Sequence, residues 1–324
     1  MRRLASLAGP AVVLCLALLA ACTPRFQDLG PASAASPRLG EREVVMDDGT
    51  SLPVEVWRAA RPRAAIVAVH GFNGYSEDFA LPGPWLARHG LTVYTYDQRG
   101  FGRTPQRGLW PGTERMVADL KAMVALARAR NPGRPVYVLG ISMGGAVTMA
   151  AMADGLKPDG AILVAPAVWG WETMNPVYTS TLWLAAHTVP WLELTGEGVE
   201  VWPSDNIDML RAYARDPLNI KATRVDTLYG LVSLMDDAYL AADRFDVPVL
   251  YLYGEHDELV PEKPTRETME RIAAPKRTVI YENGWHMLLR DKQRERVYRD
   301  VLAWIRDRGA SLPSGEEVAA ASDR

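Results

Sequence analysis

The pentapeptide Gly140-Ile141-Ser142-Met143-Gly144 is the first place in these 324 residues where side-chain type and spacing suggest chemistry. A serine with glycine two residues away on either side suits a nucleophile on a sharp strand-to-helix turn, because only small neighbours let such a turn close. Three fixed positions recur by chance about 0.1 times in a chain of this length, so the context has to carry the argument. An apolar run, Val136–Ile141, enters the turn, and Gly145, Ala146, Ala150 and Ala151 open a helix after it. The helix N-terminus favours negative charge developing nearby.

A serine hydroxyl is a weak nucleophile and needs a base. There are five histidines. His70 precedes Gly71 and shapes a turn, His89 sits at a helix end before Gly90, and His187 lies in a long insertion. His286, in Asn283-Gly284-Trp285-His286, follows the last apolar run, at the carboxyl end where sites of parallel sheets gather. It is the expected base. In Gly254-Glu255-His256-Asp257 the spacing puts Asp257 just past the end of the preceding strand, with Glu255 as the alternative. Asp257 would hold the imidazole in the right tautomer and stabilise its charged form. The expected oxyanion donors are the backbone N–H groups of Met143 and Phe72, with Gly71 letting the second loop pass close to the substrate. The order Ser, Asp, His along the chain is a known arrangement for acyl transfer.

The elements that must position these groups alternate along the chain. Glu43–Met46 and Leu52–Trp57 read as a hairpin turning at Asp48-Gly49. Strands are expected at Ala64–Val69, Leu91–Tyr96, Val136–Ile141, Ala161–Val164, Val249–Tyr253 and Thr278–Tyr281. Helices are expected near Glu77–Arg88, and at Glu114–Ala129, Gly144–Asp154, Lys263–Ile272 and Gln293–Arg306. Short apolar strands alternating with helices imply an α/β fold: a mostly parallel eight-stranded sheet covered on both faces. Residues 167–244 break the alternation and hold five of the ten tryptophans. They are too long for a loop and read as a helical cap inserted after strand six.

The two cysteines, Cys15 and Cys22, allow no disulfide framework. Arg2 and Arg3 followed by Leu4–Leu19, which Pro10 interrupts, read as a signal peptide over residues 1–21. Leu19-Ala20-Ala21-Cys22 resembles a bacterial lipobox, so Cys22 is the expected lipidation site and membrane anchor. Thr23 in place of an Asp points, by analogy with enteric bacteria, to the outer membrane. Residues 22–39 read as a flexible tether, 40–308 as the folded domain and 309–324 as a disordered tail. The formal net charge of −3, with no basic cluster, argues against nucleic acid as a partner.

With these residues assembled, the chain resembles the monoacylglycerol lipase and lysophospholipase-like group of α/β-hydrolases, related to the serine aminopeptidases. The resemblance covers roughly residues 40–306. It is carried by His70-Gly71-Phe72, Asp97-Gln98-Arg99-Gly100-Phe101-Gly102-Arg103, Gly140 to Gly145, Arg215-Asp216-Pro217-Leu218, Gly254 to Asp257 and Trp285-His286. It implies a cap after the sixth strand, no cofactor or metal, and hydrolysis of carboxylic esters, often of single-chain lipids. It also implies that Asp97 to Arg103 form a structural loop below the site. Members that cleave monoacylglycerol carry a Glu-His pair after the His-Gly turn, where Gly74-Tyr75 stand here, so glycerol recognition is not implied. An aminopeptidase-like reading would need cap carboxylates for the substrate amine, and Glu172, Glu193, Glu197 and Glu200 are available. A binding lipoprotein without catalysis would need no triad at all. Dehalogenase chemistry would place an Asp where Ser142 stands.

Overall fold

The computed structural model describes residues 23–28, 36–196, 198 and 200–318. Cys22 and the expected signal peptide lie outside them. Every strand of the central sheet named in the sequence reading is present within two residues at either end. They are β2 (Glu43–Val45), β3 (Ser51–Trp57), β4 (Ala64–Val69), β5 (Leu91–Tyr96), β6 (Val136–Ile141), β7 (Gly160–Val164), β10 (Val249–Gly254) and β11 (Lys276–Tyr281). The sheet order is β1-β2-β3-β5-β4-β6-β7-β10-β11, where β1 is Arg38–Leu39. From β5 to β11 neighbours pair in parallel; β1, β2 and β3 form the antiparallel edge.

The inner strands are buried end to end because both faces are covered. Along β4, Ala65, Val67 and Val69 enter one apolar cluster, and Ala64, Ile66 and Ala68 the other. This period of two explains why β4 reads as a continuous apolar run and not as an alternation. The helix Met143–Ala153, nearly all buried, fills one layer against β6 and the cap helix Val225–Ala241.

Three boundaries differ from the expectation. The sheet has nine strands, because Arg38–Leu39, read as tether, pairs with Val44 and Val45. Leu39 is buried there and its carbonyl accepts a bond from Arg130. Residues 23–28 of the tether also lie on the domain: the Gln27 N–H donates to the Trp110 carbonyl at 2.8 Å, and the Arg25 N–H to Asp226 at 3.3 Å. The tail is ordered against β11 as far as Val318. Glu317 bridges to Val279 and pairs with Arg277, the Val318 N–H donates to Thr278, and Leu312 is buried. The reason is that β11 is an edge strand, whose open N–H and C=O groups attract any chain within reach.

The insertion holds helices Pro176–Ala186, Ile207–Arg215 and Val225–Ala241, with a two-stranded ribbon of β8 (Glu193–Thr195) and β9 (Ala222–Arg224). Trp183, Trp191 and Trp202 are more than half exposed, so they are not core residues. The loop from Asp97 to Arg103 is structural. The buried Arg99 guanidinium bonds Asp48 and Asp119, and Asp97 holds Arg103 and the Ser76 N–H. Among the described residues no helix is long and apolar enough to cross a membrane. Nor, among them, is any group of three or more His, Cys, Asp or Glu placed to hold a metal ion.

Candidate active site

Ser142 lies between the last residue of β6 and the first of the helix Met143–Ala153. Its φ of 50° and ψ of −115° fall where a side chain strains the backbone, at a cost of about 1–3 kcal/mol. Three backbone bonds hold it there. Its N–H donates to Val164, and its carbonyl accepts from Ala146 and Ala167. The turn closes only because of its glycines. A Cβ on Gly144 would sit 2.2 Å from the Val69 carbonyl oxygen, and one on Gly140 2.3 Å from that of Gly144. A Cβ on Gly71 would lie 3.6 Å from Ser142 Cβ, so the loop after β4 runs directly against the nucleophile turn.

β10 and β11 deliver the other two groups. Gly254 and Gly284 face each other so closely that a Cβ on the first would meet the second at 2.5 Å. That contact brings the two loops together, and the His256 N–H donates to the Gly284 carbonyl across it. His286 Nδ1 then lies 2.7 Å from Asp257 Oδ2. The Asp257 side chain is wholly buried, and its Oδ1 accepts from the Leu259 and Val260 N–H groups. With both oxygens engaged the carboxylate cannot turn away. Because it accepts, the imidazole proton sits on Nδ1 and Nε2 is left as the basic atom. Glu255, the alternative acid, is exposed.

Burial by itself would lower the His286 pKa. The charge and hydrogen bond of Asp257, with the charges of Asp291 and Asp78, more than offset it and leave the imidazole above its usual 6.5. Burial pushes the Asp291 carboxyl up to about 6, against bonds from Ser204 and the Trp285 N–H. A base must be neutral to take a proton. The expected result is a kcat/KM that is full above a limb lying higher than pH 6.5 and falls as the pH drops through it. A pH–rate profile checks this, and activity maintained well into the acid range would count against His286.

The remaining histidines have other work. His70 Nε2 accepts from the Gln98 N–H and Nδ1 donates to the Gly71 carbonyl, which fixes a neutral ring, and burial lowers its pKa. His89 stacks on Trp85, and His187 on Trp183. Met143 is buried at the helix start, and Phe72 packs edge-on to Phe101 just before Asn73, whose φ is 62°. Both backbone positions expected to bind the oxyanion therefore lie on the two segments that meet at Ser142. Sequence reasoning missed the groups that hold these loops to each other and to the cap. Tyr75 Oη donates to Asp216 at 2.7 Å and Asn73 Nδ2 to Thr223 at 2.8 Å. Asp78 accepts from Arg290 at 3.1 Å, and Asp291 holds the Trp285 N–H. The motif Arg215-Asp216-Pro217-Leu218 marks Asp216 and the Gly74-Tyr75 departure marks Tyr75, while neither points to Asp78, Arg290 or Asp291.

The family model described as "Serine aminopeptidase, S33" matches residues 60–293. A monoacylglycerol lipase of Mycolicibacterium smegmatis is 25% identical over 79% of this chain and 93% of its own length. Human monoglyceride lipase is 27% identical over 83% of this chain and 91% of its own. The solved structure of a soluble variant of monoglyceride lipase from Saccharomyces cerevisiae superposes with a TM-score of 0.72 at 19% identity, over 89% of this chain and 99% of that one. It shares the fold. With the model matched across most of the folded domain, the chain belongs to the serine aminopeptidase S33 family of α/β-hydrolases, and it is a carboxylic ester hydrolase.

Proposed function

We propose that the chain cleaves single-chain lipid esters, of monoacylglycerol or lysophospholipid type, through an acyl-enzyme on Ser142. The observation that carries this is the buried 2.7 Å contact of His286 with Asp257, at the same end of the parallel sheet as a strained serine turn. Ser142 Oγ attacks the ester carbonyl and its proton passes to His286 Nε2. The N–H groups of Phe72 and Met143 bind the oxyanion. As the intermediate collapses, His286 returns the proton to the departing alcohol. Water then repeats the cycle on the acyl-serine and releases the acid.

The cap favours an apolar substrate. Val177, Tyr178, Trp183 and Leu184 stand exposed on one helix, and Trp191 and Leu192 follow it. Glu172, Glu193 and Glu200 are exposed, which gives a peptide amine no enclosed carboxylate among them. Each CH₂ buried on binding contributes about 0.8 kcal/mol, so three more methylenes should raise kcat/KM by tens of fold. Rates on p-nitrophenyl esters from two to sixteen carbons, with aminoacyl-anilides alongside, test the reading. A medium or long acyl optimum is expected. A peak at acetate, or anilides cleaved faster than any ester, would sink the lipid assignment and leave the triad standing.

Lipidation of Cys22, with anchoring to the outer membrane, belongs to the same proposal. Support comes from residues 23–28, which run along the domain beside the cap, where the Arg25 N–H bonds Asp226 and the Asp226 N–H bonds the Pro190 carbonyl. Three residues span at most about 11 Å, so an anchored Cys22 would hold this edge, with exposed Trp191, close to lipid. Cys22→Ser should move the protein from the membrane fraction to the soluble one. Equal membrane association of both forms would reject the anchor.

A further inference from the structure

Two buried charges that the triad does not use face each other beside it. Asp78 lies in the short 3-10 turn Ser76–Phe79, and Arg290 four residues after His286. Neither is more than 9% exposed. Arg290 Nη1 donates to Asp78 Oδ1 at 3.1 Å, and Asp78 Oδ2 accepts the Gly71 N–H at 3.3 Å. A Cβ on Gly71 would touch both Ser142 Cβ, at 3.6 Å, and Asp78 Oδ2, at 3.8 Å. The carboxylate and the nucleophile thus flank one glycine. Arg290 is held in turn. Its carbonyl accepts from Asn206 at 2.9 Å, and its guanidinium lies 5.7 Å from the Tyr213 ring centre.

A lone carboxylate at this position would oppose catalysis twice. It would repel the oxyanion forming next to Gly71-Phe72, and it would favour the protonated form of His286. Yet its bond to the Gly71 N–H aims the loop that carries Phe72. An arginine on the carboxylate keeps the bond and cancels the charge.

We propose that Arg290 is a positioning residue that acts through Asp78: the pair locks the Gly71-Phe72 loop for the oxyanion, and Arg290 opposes the field of Asp78 at Ser142 and His286. The proposal rests on the triad reading above. The charged groups facing His286 are Asp257 beyond β10, Asp291 on its own segment and Asp78 on the 3-10 turn, and all three favour its charged form. Arg290, paired with Asp78, opposes the third.

The test compares Arg290→Met, Arg290→Lys, Asp78→Asn and the double variant Asp78→Asn/Arg290→Met. Rates are expressed per active site counted with a fluorophosphonate, so misfolded protein drops out. Arg290→Met should lose tenfold or more in kcat with KM little changed. Its acid limb should move up by roughly half a pH unit or more. Arg290→Lys should recover part of both. Asp78→Asn, which leaves Arg290 without its counter-charge, should move the limb down, and it reports even if Arg290→Met does not fold. In the double variant the amide that replaces the Asp78 carboxylate can still accept the Gly71 N–H, with no charge on either side, so the limb should return to the wild-type position. An acid limb unmoved in Asp78→Asn, or kcat per site unchanged in a folded Arg290→Met, would overturn the pairing role while a labelled Ser142 upholds the triad. No labelling at Ser142 would overturn both.

Discussion

Ser142→Ala is expected to lose about 10⁴- to 10⁶-fold in kcat on any ester the enzyme cleaves, because the members of a triad act as a unit. His286→Ala should cost about as much. Asp257→Asn should cost somewhat less, since Asp257 orients and stabilises the base without exchanging protons with the substrate. The measurement is steady-state hydrolysis with residual wild-type contamination excluded by phosphonate titration. The substitution should spare the fold, because Ser142 makes no side-chain cap bond and its backbone is held by Val164, Ala146 and Ala167. A sharper form uses Ser142→Gly. Glycine adopts a φ of 50° without strain, so this inactive variant should melt higher than Ser142→Ala. Most of the activity surviving in Ser142→Ala would end the nucleophile assignment.

Gly144→Ala should be nearly as damaging, by a different route. The added methyl would lie 2.2 Å from the Val69 oxygen and 2.7 Å from that of His70, both backbone atoms. Backbone cannot swing aside as the end of a lysine can, so either the helix Met143–Ala153 or the end of β4 must move. Overpacking of this kind costs about 3 kcal/mol or more, or roughly 6–12 °C in Tm for a domain of this size. Any displaced β4 would also carry the Phe72 donor away from Ser142, so the folded fraction should have low kcat. Thermal melts beside kcat per titrated site check both parts. Gly155→Ala is the control, since its Cβ meets nothing within 4 Å and only its φ of 86° is strained. Equal, mild effects at both glycines would show that the close packing does not constrain the turn.

The sequence carried the frame of the site because its signals are local. The buried strands from β4 to β11 are short runs of Val, Ile, Leu, Ala and Tyr, and strands covered on both faces must read that way. Gly140 and Gly144 mark a turn that only glycine permits. Asp257 and His286 stand just past strand ends, so parallel topology puts them at the same end of the sheet as Ser142 once the strand order is known. The edges were not legible in the same way. Arg38–Leu39 and residues 309–318 have polar, Pro- and Ala-containing surroundings that read as tether and tail. Their order comes from open edges of the sheet: Arg38–Leu39 turns back on Val44 and Val45 a few residues on, and Glu317 reaches Val279 from 38 residues away.

By itself the sequence determined the fold class and marked the candidate nucleophile turn and the three candidate triad positions, since each depends on residue type at a fixed offset from a strand. Tertiary structure alone decided what surrounds them. Asp78 and Arg290 are 212 residues apart and Tyr75 and Asp216 are 141 apart, and no periodicity or motif links either pair. It also decided the fate of the cap tryptophans. Apolar composition permits burial in a core or exposure at a surface, and the packing of the cap leaves Trp183, Trp191 and Trp202 exposed. A buried charge, in contrast, must find its partner wherever the chain happens to bring one, because leaving it unpaired costs more than the fold can bear.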